Sequence, residues 1–296
     1  MIHFIRLFFL SVFLLLAGVG PGLARPNMTP TGPNIADTGS AFYHFRSANF
    51  DSADKQRHYK VWVAIPDKAA PQVGRRALFM LDGNAAMAQL DDALLGHIVA
   101  AGAPVLVAIG YQTPLPFDIK SRTLDYTPRA PESGHAIYKE ANGGGSAEFR
   151  RLLLDKIMPW VKTQTRLNPK QLSLWGHSYG GLFVLDTLYN APGSFRHYYA
   201  ASASLGWGKD VMLQRAQALR SPALAGRTLL LAEGDSGNVS HGPASENKNA
   251  RLAASLRKKG IIARYRYYPG LSHGPMFGAS LRDTINAVAK SETPVN

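Results

Sequence analysis

The chain has 296 residues, 33 lysines and arginines against 20 aspartates and glutamates, a formal charge of +13 and no cysteine. The missing cysteines exclude a disulfide framework and a lipid-modified cysteine, so a core large enough to be stable without bridges must exist. The basic excess favours anionic partners through long-range attraction.

The first segment reads as a secretory signal over residues 1–24. Arg6 is followed by an apolar run from Leu7 to Val19 and then by Gly20-Pro21-Gly22-Leu23-Ala24, with small residues where a signal peptidase wants them. The apolar run is shorter than the about 20 residues a membrane helix needs, so cleavage leaves no stable span. A periplasmic or secreted protein follows. Residues 25–38, with Pro26, Pro30, Gly32 and Pro33 and no apolar periodicity, read as a flexible leader, and residues 39–296 as one catalytic domain.

Strand-like runs then occur at Phe42 to Arg46, Lys60 to Ile65, Ala77 to Leu81, Val105 to Gly110, Leu172 to Trp175, Tyr198 to Ser202, Thr228 to Ala232 and Ile261 to Tyr268. Helical patterns fall at Glu148 to Thr165, Gly181 to Tyr189, Val211 to Leu219, Asn247 to Lys259 and Phe277 to Ala289. Two strands in succession followed by alternation of strand and helix imply an α/β fold: a mostly parallel central sheet with helices on both faces, in the order of an α/β-hydrolase. The stretch Tyr111 to Gly145 is rich in Pro, Gly and polar residues and is expected to form a substrate-facing flap at the carboxyl edge of the sheet.

Gly176-His177-Ser178-Tyr179-Gly180 lies between an apolar strand and a helical run, the context of a nucleophile elbow. A tight turn there leaves no room for side chains at the two flanking glycines and thrusts the serine Oγ out of the sheet. A second match, Gly270-Leu271-Ser272-His273-Gly274, has no histidine after it, whereas His197, His241 and His273 all follow Ser178. Chain order therefore selects Ser178 as nucleophile and His273, in a Gly-flanked loop before the final helix, as base. His197 reads as structural, His241 as solvated, and His177 as packing or hydrogen-bonding locally.

The acid should follow the strand ending at Ala232, where Glu233, Asp235 and Glu246 are available. Asp235, in the turn Gly234-Asp235-Ser236-Gly237, is the choice, and a serine–histidine pair without an acid is the alternative. The amide of Tyr179 supplies one oxyanion donor, and Asn84 after the strand Phe79-Met80-Leu81 supplies the other. In Ala263-Arg264-Tyr265-Arg266-Tyr267-Tyr268 arginine and tyrosine alternate, which reads as a solvated strand face rather than a platform for nucleic-acid bases.

On Leu81-Asp-Gly-Asn84, Arg122-Thr-Leu-Asp125-Tyr126-Thr127-Pro128, Gly144-Gly-Ser-Ala-Glu148-Phe149, Gly176-His-Ser-Tyr-Gly-Gly-Leu-Phe183 and Leu271-Ser-His-Gly274, the chain resembles the esterase branch of the α/β-hydrolases. Within that branch it resembles the periplasmic siderophore esterases that hydrolyse catecholate trilactones. The resemblance implies an esterase using neither cofactor nor metal, with Ser178 as nucleophile and His273 as base, acting on a small-molecule ester that is a ferric or apo catecholate siderophore. Some members work as a dyad, which leaves Asp235 open. Where relatives often carry a Ser-x-Ser-Leu-Trp-Trp run, this chain has Ser202-Ala-Ser204-Leu205-Gly206-Trp207-Gly208, so the pocket differs. Arg122 is expected either to contact the anionic substrate or to pair internally with Asp125. A general carboxylesterase and a silent binder of an anionic ligand are the competing functions.

Overall fold

In a computed structural model the described residues are 27–129, 143–220, 222–235 and 247–290. Eight strands form one sheet: β1 (Tyr43–Asp51), β2 (His58–Pro66), β3 (Arg75–Met80), β4 (Val105–Tyr111), β5 (Leu167–His177), β6 (His197–Ala201), β7 (Thr228–Asp235) and β8 (Ile262–Ser272). Their spatial order is β1-β2-β4-β3-β5-β6-β7-β8. The β1–β2 and β2–β4 pairs are antiparallel and the remaining pairs parallel. The expected α/β-hydrolase architecture is the one observed.

The helices are α1 (Ile35–Thr38), α2 (Gly83–Met87), α3 (Asp92–Ala101), α4 (Ile119–Tyr126), α5 (Ser146–Leu152), α6 (Met158–Gln164), α7 (Tyr179–Asn190), α8 (Trp207–Ala218), α9 (Lys248–Arg257) and α10 (Met276–Lys290). A π-helical turn, Leu153–Ile157, joins α5 to α6. No described helix is long and apolar enough to cross a membrane.

The period of two along the strands divides the core into two layers. Val61, Val63, Phe79, Val105, Val107 and Leu174 face Phe149, Leu182, Phe183, Leu185 and Leu252 of α5, α7 and α9. Trp62, Leu78, Met80, Leu106 and Trp175 face Leu95 and Ile98 of α3 and Leu281 and Ile285 of α10. All seven residues of β4 are buried, as a strand covered on both faces must be.

Two expectations about irregular segments fail. From residue 27 onward, the expected flexible leader is held against the domain. Asn34 caps α1 by accepting from the Ala36 amide at 2.9 Å, its own amide donates to Asp37 at 2.9 Å, and Thr31 N donates to the Pro114 carbonyl at 3.0 Å. Ile35 and Ala36 pack on the α3–α10 layer. The expected flap at 111–145 is irregular at 112–118 and then forms a helix, α4, which buries Arg122, Asp125 and Tyr126. Its far end returns to the helix, with Gly145 N donating to Leu124 O at 2.9 Å and Ser146 N to Thr127 O at 3.2 Å. The signal segment, residues 130–142 of the flap, His241 and Glu246 lie outside the described residues.

Candidate active site

Three residues with positive φ sit just past the carboxyl ends of neighbouring parallel strands: Asp82 after β3, Ser178 after β5 and Ser202 after β6, at φ 52°, 59° and 43°. None is glycine, so each stores backbone strain, and strain of this kind collects at functional sites. Ser178 is the sharpest case, with ψ −115° and α7 beginning at the next residue. Ser272 of the second motif ends β8 without positive φ and forms no elbow.

The two glycines flanking Ser178 differ. A Cβ on Gly176 would lie 2.4 Å from the Gly180 backbone, so that position admits only glycine. A Cβ on Gly180 would meet nothing closer than 3.6 Å, so the expected exclusion at the second glycine does not hold. The tight approach passes instead to Gly181, where a Cβ would come 2.9 Å from the Ala201 carbonyl oxygen.

Ser178 N donates to Ala201 O at 2.9 Å, and Ser204 N to Ser178 O at 3.2 Å. Ser178 Oγ lies 3.2 Å from Ser204 Oγ, and no hydrogen bond joins it to His273 among the described residues. A hydrogen bond between nucleophile and base commonly tightens only when substrate arrives. Ser204 is a contact of the nucleophile that motif reading missed.

Tyr179 is the first residue of α7 and Asn84 the second of α2, so neither amide has a partner within its helix. Neither donates to another element among the described residues. The Asn84 side chain is fully engaged: Nδ2 donates to the Tyr111 and Thr113 carbonyls at 3.1 and 2.8 Å, and Oδ1 accepts from Tyr111 N at 2.9 Å. That clamp fixes the turn and leaves its backbone amide for an oxyanion. The two turns are neighbours, since Leu81 N donates to Trp175 O at 3.1 Å.

β8 extends to Ser272, four residues beyond its expected end, and delivers His273 at the same edge of the sheet as Ser178. The His273 ring stacks on His177, with centroids 4.6 Å apart and planes 46° apart, and the His273 carbonyl accepts from His177 Nε2 at 2.9 Å. Surrounding protein lowers the His273 pKa, the Arg122 charge lowers it further and Glu233 opposes them. A lowered pKa keeps the imidazole a free base at neutral pH.

Asp235 is placed differently from its expected role as the acid. Oδ2 accepts from Gly270 N at 2.7 Å and Oδ1 accepts from the Tyr267 hydroxyl, so the carboxylate grips the strand leading into His273 rather than its imidazole. Glu233 accepts from Asn247 and Asn249 at 2.8 and 3.0 Å and anchors the start of α9. No carboxylate is hydrogen-bonded to the His273 ring among the described residues. His197 is structural as expected, bonded to Thr228 Oγ1 at 2.7 Å.

Arg122 forms an internal pair, but with Asp82 instead of Asp125. Nε and Nη2 grip Oδ1 and Oδ2 at 2.7 and 2.8 Å, in the bidentate geometry that suits a guanidinium. The group is 8% exposed and stacks 5.5 Å from each of the Phe117, Tyr126 and Tyr179 rings. Burial lowers its pKa, but the Asp82 charge and hydrogen bond, joined by Tyr126 and Tyr111, raise it above its ordinary value. Asp125 pairs with Arg57 Nε at 2.9 Å and accepts from the Tyr59 and Tyr111 hydroxyls at 2.8 and 3.0 Å.

Residues 52–286 match the family described as Putative esterase. The chain belongs to that family of α/β-hydrolases. It is 44% identical over 269 residues to the apo-salmochelin esterase of Escherichia coli O6:H1, covering 88% of this chain and 84% of that one. It is 28% identical over 244 residues to the ferri-bacillibactin esterase BesA of Bacillus subtilis, covering 75% and 81%. The solved enterobactin hydrolase IroE in complex with DFP superposes with a TM-score of 0.78 at 44% identity, covering 87% of this chain and 99% of that one. This chain is a serine esterase.

Burial makes the esterase sensitive to acid. It lowers the His177 pKa to about 3, helped by the His273 and Arg122 charges, and the His197 pKa to about 4, helped by Arg196. Both rings are neutral when folded, while an unfolded histidine takes a proton near about pH 6.5. Their contribution to stability is complete above that pH and is lost on acidification, at about 1.4 kcal/mol per pH unit for each ring. Asp125 acts in the opposite sense, because burial raises its pKa to about 6 despite Arg57, Tyr59 and Tyr111, so the folded state holds its proton more tightly. Urea unfolding from pH 6.5 to 5 should show stability falling, with a shallower fall in His177→Gln. Parallel slopes in the two proteins would remove His177 from this account.

Proposed function

We propose that this esterase is exported to the periplasm or secreted and hydrolyses the trilactone backbone of catecholate siderophores. The observation that carries the reading is the strained Ser178 elbow in a chain 44% identical to an apo-salmochelin esterase along most of both lengths. The net charge of +13 suits an anionic catecholate.

In this reading Ser178 Oγ turns from Ser204 and attacks the ester carbonyl carbon as His273 takes its proton. The Tyr179 and Asn84 amides hold the oxyanion. Collapse expels the alcohol, which takes the proton from His273. Water, deprotonated by the same histidine, then releases the acid, so each turnover consumes one water and opens one ester. No acid among the described residues is hydrogen-bonded to His273, and Arg122 acts through its bidentate pair with Asp82.

The substrate class is tested by kcat/KM for an enterobactin-type trilactone, with and without iron, against p-nitrophenyl butyrate. A preference for the trilactone of about 100-fold or more, near 3 kcal/mol of transition-state binding, is expected. Equal efficiencies would move the protein to general carboxylesterases, and binding without turnover would make it a silent binder. N-terminal sequencing of exported protein should begin at Arg25.

A further inference from the structure

His177 precedes the nucleophile, is 6% exposed and takes no part in the acyl-transfer steps. Its Nε2 lies 2.9 Å from the His273 carbonyl, which can only accept, so Nε2 carries the proton. Its ring lies against the His273 ring, and Phe277 backs it edge-on at 5.6 Å and 75°. Phe277 is itself braced edge-on by Trp175 at 5.1 Å.

We propose that His177 is a positioning residue that gives His273 the orientation a carboxylate supplies in a serine–histidine–acid triad. The proposal rests on the assignment of Ser178 and His273 above. A triad acid both holds the imidazole in place and stabilises the imidazolium. His177 performs the first task at two points: a hydrogen bond to the main chain fixes the loop, and a ring face limits rotation of the imidazole.

The second task has no hydrogen-bonded partner among the described residues, and the Glu233 charge only opposes the lowering caused by the surrounding protein and Arg122. The loop needs such a tether, because His273 lies between Gly270, at φ 78°, and Gly274 in an exposed segment. Upstream, Asp235 holds the Gly270 amide and the Tyr267 hydroxyl, and neither bond reaches His273 itself.

Such tethering affects the chemical step more than substrate capture, because misplacing a base by about 1 Å costs up to about 100-fold in rate. The test compares His177→Ala, His177→Gln and His177→Phe in the mature protein by kcat and KM on p-nitrophenyl butyrate, with Tm measured for each. His177→Ala should lose about 10- to 100-fold in kcat with KM within about threefold. His177→Gln keeps an N–H donor and should recover to within about fivefold of the parent, while His177→Phe keeps the ring and falls between.

If His177→Ala does not fold, the order of the other two decides. Parental kcat in a folded His177→Ala or His177→Phe, or kcat following Tm regardless of the donor, overturns the proposal. Full activity in a His273→Ala control would overturn the assignment of the base, and the tether with it.

Discussion

His273→Ala should lower kcat/KM for every ester by roughly six orders of magnitude, the size of loss seen when the serine or the histidine of such a site is removed. The fold should hardly notice. His273 is exposed, its ring lies against His177, and the tether between them uses the His273 main chain, which alanine retains. Loss of turnover with an unchanged urea midpoint separates a base from a structural side chain. In the parent enzyme the acid limb of the pH–rate profile should lie below the ordinary imidazole range, because the lowered pKa keeps His273 unprotonated further into acid. A limb at or above that range would contradict the placement of the ring.

Arg122→Met should destabilise the protein by about 3–5 kcal/mol, since it leaves the Asp82 carboxylate buried without its partner. Asp82 is 2% exposed and accepts both arms of the guanidinium, so it has no route to water without moving the turn that carries Asn84. Adding Asp82→Asn to Arg122→Met should restore part of the loss, as expected for two groups whose cost lies in mutual burial. Activity should fall too, because Arg122 Nη2 also reaches the His177 carbonyl at 3.5 Å and the guanidinium lies over Tyr179. At a temperature where Arg122→Met stays folded, loss of a charge that lowers the His273 pKa should move the acid limb to higher pH. Additive single effects in the double variant would show that the pair is not coupled.

The layered sheet, the helix from Met276 and the Ser178 elbow were readable because each is local. Alternation of apolar residues gives the strands, a 3.6-residue period gives α10, and the glycine at 176 has one steric cause. Helix α4 was not readable, since its buried face consists of Arg122, Asp125 and Tyr126, and charged residues look solvated until their partners are known. Those partners, Asp82 and Arg57, are distant in sequence and lie in the turns after β3 and before β2.

The same limit applies to Asp235. Chain order placed it correctly at the end of β7, but only the extension of β8 to Ser272 reveals that the Gly270 amide and Tyr267 take its two oxygens. The leader was misread because its proline content hid a capping box at Asn34 and Asp37. His177 was expected to bond locally; its partner proved to be the main chain of the base itself, 96 residues away.

The most direct test of the central claim is a quenched incubation of an enterobactin-type trilactone with the mature protein and with its Ser178→Ala variant, followed by mass analysis. The account predicts ring-opened products, each heavier by one water per ester cleaved, with the parent protein and none above background with Ser178→Ala. Equal opening of the trilactone by both proteins, or an intact ring with a parent protein that still hydrolyses p-nitrophenyl butyrate, would contradict it.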